Sequence, residues 1–168
     1  MRFAAPATAL AAVLAMTASV GQGEDHVTDP RAAALVAQGH AAIAAGHPEQ
    51  AVDAFEAALA VDPAATAIFV DLAEAARLNG LQGKAIHYYR LALGREPDNL
   101  AALSGEGAAL VEKGAVEKAR RNLAKLRSMC GDNCREAKTL AAAIDRGPQP
   151  RVLTAEAVMP DAVVTQQN

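Results

Sequence analysis

Two cysteines, Cys130 and Cys134, carry the most chemical potential in this chain, and the sequence has no others. Three residues separate them, which is neither the Cys-x-x-Cys of thioredoxin-like dithiols nor the Cys-x-x-Cys-His that attaches haem. Zinc would need two further ligands, and no histidine lies nearby. A structural disulfide is the expectation, with free thiols and a thiol-redox or metal-binding site as the alternatives. Other chemistry is thin. The sequence has no Gly-rich phosphate loop, no HExxH helix and no nucleophile elbow. Isolated acids and histidines do not fall at spacings that helical geometry would gather into a site, so no enzyme, metal site or cofactor is expected.

The elements that must position any site are helical. Hydrophobic residues make up 52% of the 168-residue chain but aromatics only 3%, and alanine dominates the apolar set. So few aromatic and β-branched residues disfavour a sandwich or barrel, whereas alanine favours closely packed helices. A formal charge of −3 excludes a strongly basic nucleic-acid binder.

The two ends differ from the middle. Arg2 precedes an uncharged run from Phe3 to Val20, followed by small residues, which reads as an export signal over residues 1–22. An uncleaved anchor is the alternative, weakened by Pro6 and the high alanine content. Cleavage would place the protein in the periplasm or outside the cell, without stable membrane insertion. Residues 23–31 read as a linker. Gly147-Pro148-Gln149-Pro150 interrupts any helix, so 147–168 reads as a flexible tail. The alternative there is a partner-docking element around Val152, Leu153, Val158 and Met159.

Between the ends the sequence repeats at a spacing of 34, without gaps, over 32–65, 66–99 and 100–133. Small residues recur at the eighth position (Gly39, Ala73, Gly107), and glycine at the fifteenth (Gly46, Gly80, Gly114). The twentieth is always alanine (Ala51, Ala85, Ala119), and the twenty-fourth is bulky (Phe55, Tyr89, Leu123). Ala58, Ala92 and Leu126 share the twenty-seventh position; Pro63, Pro97 and Gly131 share the thirty-second. A left-handed glycine after one helix, a small residue at a helix crossing and a terminating proline together describe a helical hairpin. Asn133, with Glu136 three residues on, looks like the N-cap of a further helix over 134–146.

These columns resemble the tetratricopeptide repeat family over 32–133. The segment from Gly83 to Leu93, followed by Glu96-Pro97-Asp98-Asn99, is especially close, while the third unit departs with Leu126 and Gly131. The resemblance implies an all-α fold: a right-handed superhelical array of three hairpins, closed by a capping helix at 134–146. It also implies a concave groove, lined by the first helix of each unit, that receives a protein or peptide. By position that surface includes Val36, His40 and Ile43, then Val70, Glu74, Arg77 and Leu78, then Ser104, Ala108, Val111 and Glu112. It lacks the basic and Asn residues by which some members grip a C-terminal carboxylate, which disfavours that kind of ligand.

Plainer readings stand beside these. Val36 and Val70 can pack between units. Glu74 and Arg77 can form an ordinary exposed pair. His40, His47 and His87 occupy different repeat positions and suggest no metal cluster. Tyr88 and Tyr89 read as packing, and Lys118 to Arg127 as a solvated helix face, with an acidic partner as its alternative. The function expected is a non-enzymatic protein-binding adaptor of the cell envelope; the alternatives are thiol or metal chemistry at Cys130 and Cys134, or self-association as a homo-oligomer.

Overall fold

A computed structural model describes residues 26–148; the expected signal and all but the first two residues of the expected tail lie outside them. Among the described residues there are seven helices and no strand. They are α1 (Pro30–Ala44), α2 (Pro48–Val61), α3 (Thr66–Leu78), α4 (Gln82–Arg95), α5 (Leu100–Glu112), α6 (Val116–Cys130) and α7 (Arg135–Arg146). Successive pairs form three hairpins, each joined to the next through α2–α3 and α4–α5, and α7 lies against both α5 and α6. The fold is an all-α repeat array.

Local chemistry sets the helix ends. Asp29 accepts the Arg31 N–H at 2.8 Å, and Pro30 presets the first turn, so α1 starts inside the expected 23–31 linker. Asn99 caps α5 by accepting the Ala102 N–H at 2.9 Å. Pro63 and Pro97 stand just beyond the last residues of α2 and α4, where no further helical N–H is available. In the third unit Gly131, at φ 80°, stops α6 instead. The last helix has Cys134, not Asn133, at its cap, in extended conformation and without a side-chain bond. The Lys138 N–H bonds the Cys134 carbonyl at 3.1 Å, so the ladder starts one residue later than the sequence suggests. Cys130 and Cys134 have Cα atoms 5.8 Å apart, inside the span that a disulfide bridges.

Each hairpin turns on a glycine. Gly46, Gly80 and Gly114 have φ of 81°, 72° and 84°. The next residue returns its N–H across the helix end: His47 to Ala42, Leu81 to Ala76 and Ala115 to Leu110. Two orphan carbonyls are satisfied at each turn because the glycine itself bonds Ile43, Arg77 or Val111. A Cβ at Gly80 would meet nothing within 4 Å, so only backbone conformation is at stake. Gly80→Ala should therefore cost about 1–2 kcal/mol, measurable by urea unfolding. A neutral result would mean that the turn relaxes out of the left-handed region at no cost.

Packing is an interlock of small and large residues. Ala51, Ala85 and Ala119 are wholly buried at the crossings, and Phe55 and Tyr89 are the bulkiest of the fully buried side chains. The eighth-position glycines Gly39 and Gly107 make room for side chains of neighbouring helices. A Cβ at Gly39 would lie 2.5 Å from the Phe55 ring, and one at Gly107 2.5 Å from Leu140 of α7. Helix α3 is buried on two sides: Ile68, Leu72 and Ala75 join the core of the first hairpin, while Ala73 and Ala76 join that of the later ones. No hairpin can bury its apolar surface alone, so neighbouring units stabilise one another. Buried Glu106 accepts from Arg90 at 2.7 Å and Asn122 at 2.9 Å, tying α4, α5 and α6 together.

Candidate functional site

Helices α3, α5 and α7 enclose an open hollow of about 640 Å³. From α3 come Val70, Asp71, Glu74 and Arg77; from α5, Ala101, Ser104, Gly105 and Ala108; from α7, Arg135, Glu136 and Thr139. Tyr89 of α4 reaches it from behind. The floor is formed by small and apolar side chains, and charged groups stand along its length. Val70, Glu74, Arg77, Ser104 and Ala108 are thus brought together.

The remaining expected groove residues lie elsewhere. Val36 and Ile43 are half-buried against the core of the first hairpin. His40 is exposed on α1 and touches the groove only through Asp71, its Nε2 lying 3.1 Å from Oδ1. Val111 departs from the expected set altogether: it is 2% exposed and belongs to the core, because its side of α5 faces the packed neighbours. Ser104 is 8% exposed, and its hydroxyl donates to the Glu136 carbonyl at 3.1 Å, so it fastens α7 to α5. Leu78 is exposed at the end of α3.

Arg77 holds the site together. Its Nε donates to Glu74 Oε2 at 2.9 Å and a second nitrogen donates to Glu74 Oε1, a forked pairing. The third nitrogen donates to Glu112 of α5. Tyr89, its ring buried, donates its hydroxyl to Glu74 at 2.9 Å. Glu74 and Arg77 therefore belong to a network across three helices, which an ordinary exposed pair would not make. Burial pushes the Glu74 carboxyl up, but the Arg77 hydrogen bonds and charge and the Tyr89 hydroxyl together hold it below the usual glutamate value. Arg77 is held above the ordinary arginine value, chiefly by Glu74. Burial, followed by the Glu74 charge, raises Tyr89 far above a free phenol.

A lowered carboxyl stabilises the fold above its unfolded value of 4.5 and loses that contribution as pH falls through the folded value. The urea midpoint should drop as pH falls from about 5 to 3, and Glu74→Gln should flatten the drop. Equal slopes in the two proteins would show that Glu74 does not contribute.

Residue-by-residue reading missed Asp71, Ala101, Gly105, Arg135 and Thr139, and took Tyr89 and Glu136 only as packing and capping residues. The signal was present in the repeat, because its 34-residue register continues past residue 133. Thr139 falls in the column of Asp71 and Gly105, and Arg135 in that of Ala101. The capping helix thus supplies a wall of the groove as well as a cover for the core. Among the described residues no group of three His, Cys, Asp or Glu could hold a metal ion.

Paired antiparallel helices with this glycine and alanine register define a helical repeat protein. A sequence model of the tetratricopeptide repeat matches residues 36–99, so that stretch carries tetratricopeptide repeats. Its structure resembles the first tetratricopeptide domain of Spaghetti (RPAP3) bound to the HSP90 peptide SRMEEVD, with TM-score 0.64 and 21% identity over 73% of this chain and 96% of that one. It also resembles the second such domain of human RPAP3 in complex with the HSP70 peptide SGPTIEEVD, with TM-score 0.62 and 17% identity over 68% and 95%. The Sgt2 domain of Aspergillus fumigatus gives TM-score 0.64 and 23% identity over 83% and 95%. At these identities the likeness concerns the fold. No curated protein matches the sequence.

Proposed function

We propose that the protein is a non-enzymatic adaptor of the cell envelope that holds a segment of another protein in the groove between α3, α5 and α7. The observation that carries this reading is the groove itself: an open trough with a floor of Val70, Ala101, Gly105 and Ala108, bounded by fixed charged side chains. Such a surface binds by preorganised contact and charge matching. Two solved structures of this fold are bound to peptides, which supports the reading. The envelope location rests on Arg2 and the uncharged run behind it. Among the described residues no helix is long and apolar enough to cross a membrane.

Crosslinking capture from the envelope fraction tests this, comparing the native chain with Ala108→Trp, which fills the trough. Partners should be captured by the first and lost by the second. Capture undiminished by Ala108→Trp would remove the groove from the account. We also read Cys130 and Cys134 as a disulfide that pins α7 to the end of α6, supported by their spacing. An intact mass that rises by about 2 Da on reduction is the expected result, and facile cycling by cellular thiols would point to redox chemistry instead.

A further inference from the structure

The charges around the groove do not balance. Four carboxylates, Asp71, Glu74, Glu112 and Glu136, stand with two guanidiniums, Arg77 and Arg135. Both guanidiniums are already engaged. All three nitrogens of Arg77 donate to Glu74 or Glu112, and Arg135 donates through two nitrogens to Glu136 at 3.1 and 3.0 Å. A carboxylate ligand arriving here would find no nitrogen of Arg77 unoccupied.

Acceptors, in contrast, are left over. Glu112 binds Arg77 through Oε1 alone, while its Oε2 is enclosed and has no hydrogen-bond partner among the described residues. Gln82 Oε1 is in the same condition. Both residues line a second hollow of about 450 Å³, and its Glu112 is ion-paired to Arg77 of the first. Lys113 also lines it, and the carboxylates still outnumber the cations. A buried acceptor without a donor is destabilising, and a donor brought by a ligand would relieve it.

Resting on the adaptor reading above, we infer that the groove selects a basic segment: small apolar residues seated on the Val70–Ala108 floor, with a lysine or arginine directed to Asp71 and Glu112. This preference is opposite to that needed for the acidic peptides held by the two structural neighbours. The selectivity follows from charge, since the carboxylates outnumber the cations and every nitrogen of Arg77 is already committed to Glu74 or Glu112.

A displayed library of random decapeptides, selected on the full chain, tests the inference. Selected sequences should be enriched in Lys and Arg and depleted in Asp and Glu. Fluorescein-labelled copies should bind about tenfold more weakly to Glu112→Gln, and more weakly in high salt. Asp71→Asn serves as a second neutralising variant, with circular dichroism confirming that both fold. Peptides that are neutral or acidic, or whose affinity ignores salt and both substitutions, would overturn the basic preference. If those peptides are still blocked by Ala108→Trp, the adaptor reading survives that result. Basic peptides that bind Ala108→Trp as well as native protein would overturn both.

Discussion

Tyr89→Ala is expected to remove about 3–5 kcal/mol of stability, much of what a domain of this size possesses. The side chain is 1% exposed and is the largest of those wholly buried. Its ring passes so close to Gly105 that a methyl group there would collide with it, which fastens α4 to α5. Its hydroxyl then emerges on the groove side and meets Glu74. Tyr89→Phe should keep the ring contacts and lose about 1 kcal/mol. Urea unfolding of the two variants separates packing from the hydrogen bond. A loss below about 1 kcal/mol for Tyr89→Ala would contradict the interlocking of hairpins described above.

The second large effect belongs to the capping helix. Leu140→Ala should cost about 2–5 kcal/mol, because Leu140 is wholly buried and sits in the space left by Gly107. Gly107→Ala should also destabilise, although alanine is the better helix former, since its new Cβ would lie 2.5 Å from Leu140. Combined, the two substitutions should cost less than their sum, because the shortened side chain accepts the added methyl. Strict additivity in that cycle would show that the two positions do not share a cavity.

Most of the fold was legible because repetition amplifies weak signals. Gly80 alone says little, but glycine at the same phase in three units, each followed by a crossing alanine, specifies a hairpin. The site was less legible because burial depends on neighbours that the sequence does not place. Val111 and Ala108 are one helical turn apart on α5, yet one is in the core and the other in the groove. Ser104 reads as a free hydroxyl until α7 brings the Glu136 carbonyl to it. Arg77 looks like half of a local ion pair until Glu112, a whole repeat away, completes its coordination. His26 and Asp29 likewise look like linker, but they close on buried Asp62 through two 2.8 Å contacts and a 3.0 Å backbone bond.

Amide chemical-shift mapping of the full chain, titrated with a captured partner segment, bears most directly on the groove. The expected result is a set of perturbations centred on Val70, Glu74, Gly105, Ala108 and Thr139, with the outer face of α6 unmoved. Perturbations confined to Lys118–Arg127, with those five residues silent, would place recognition on the convex side and contradict the assignment.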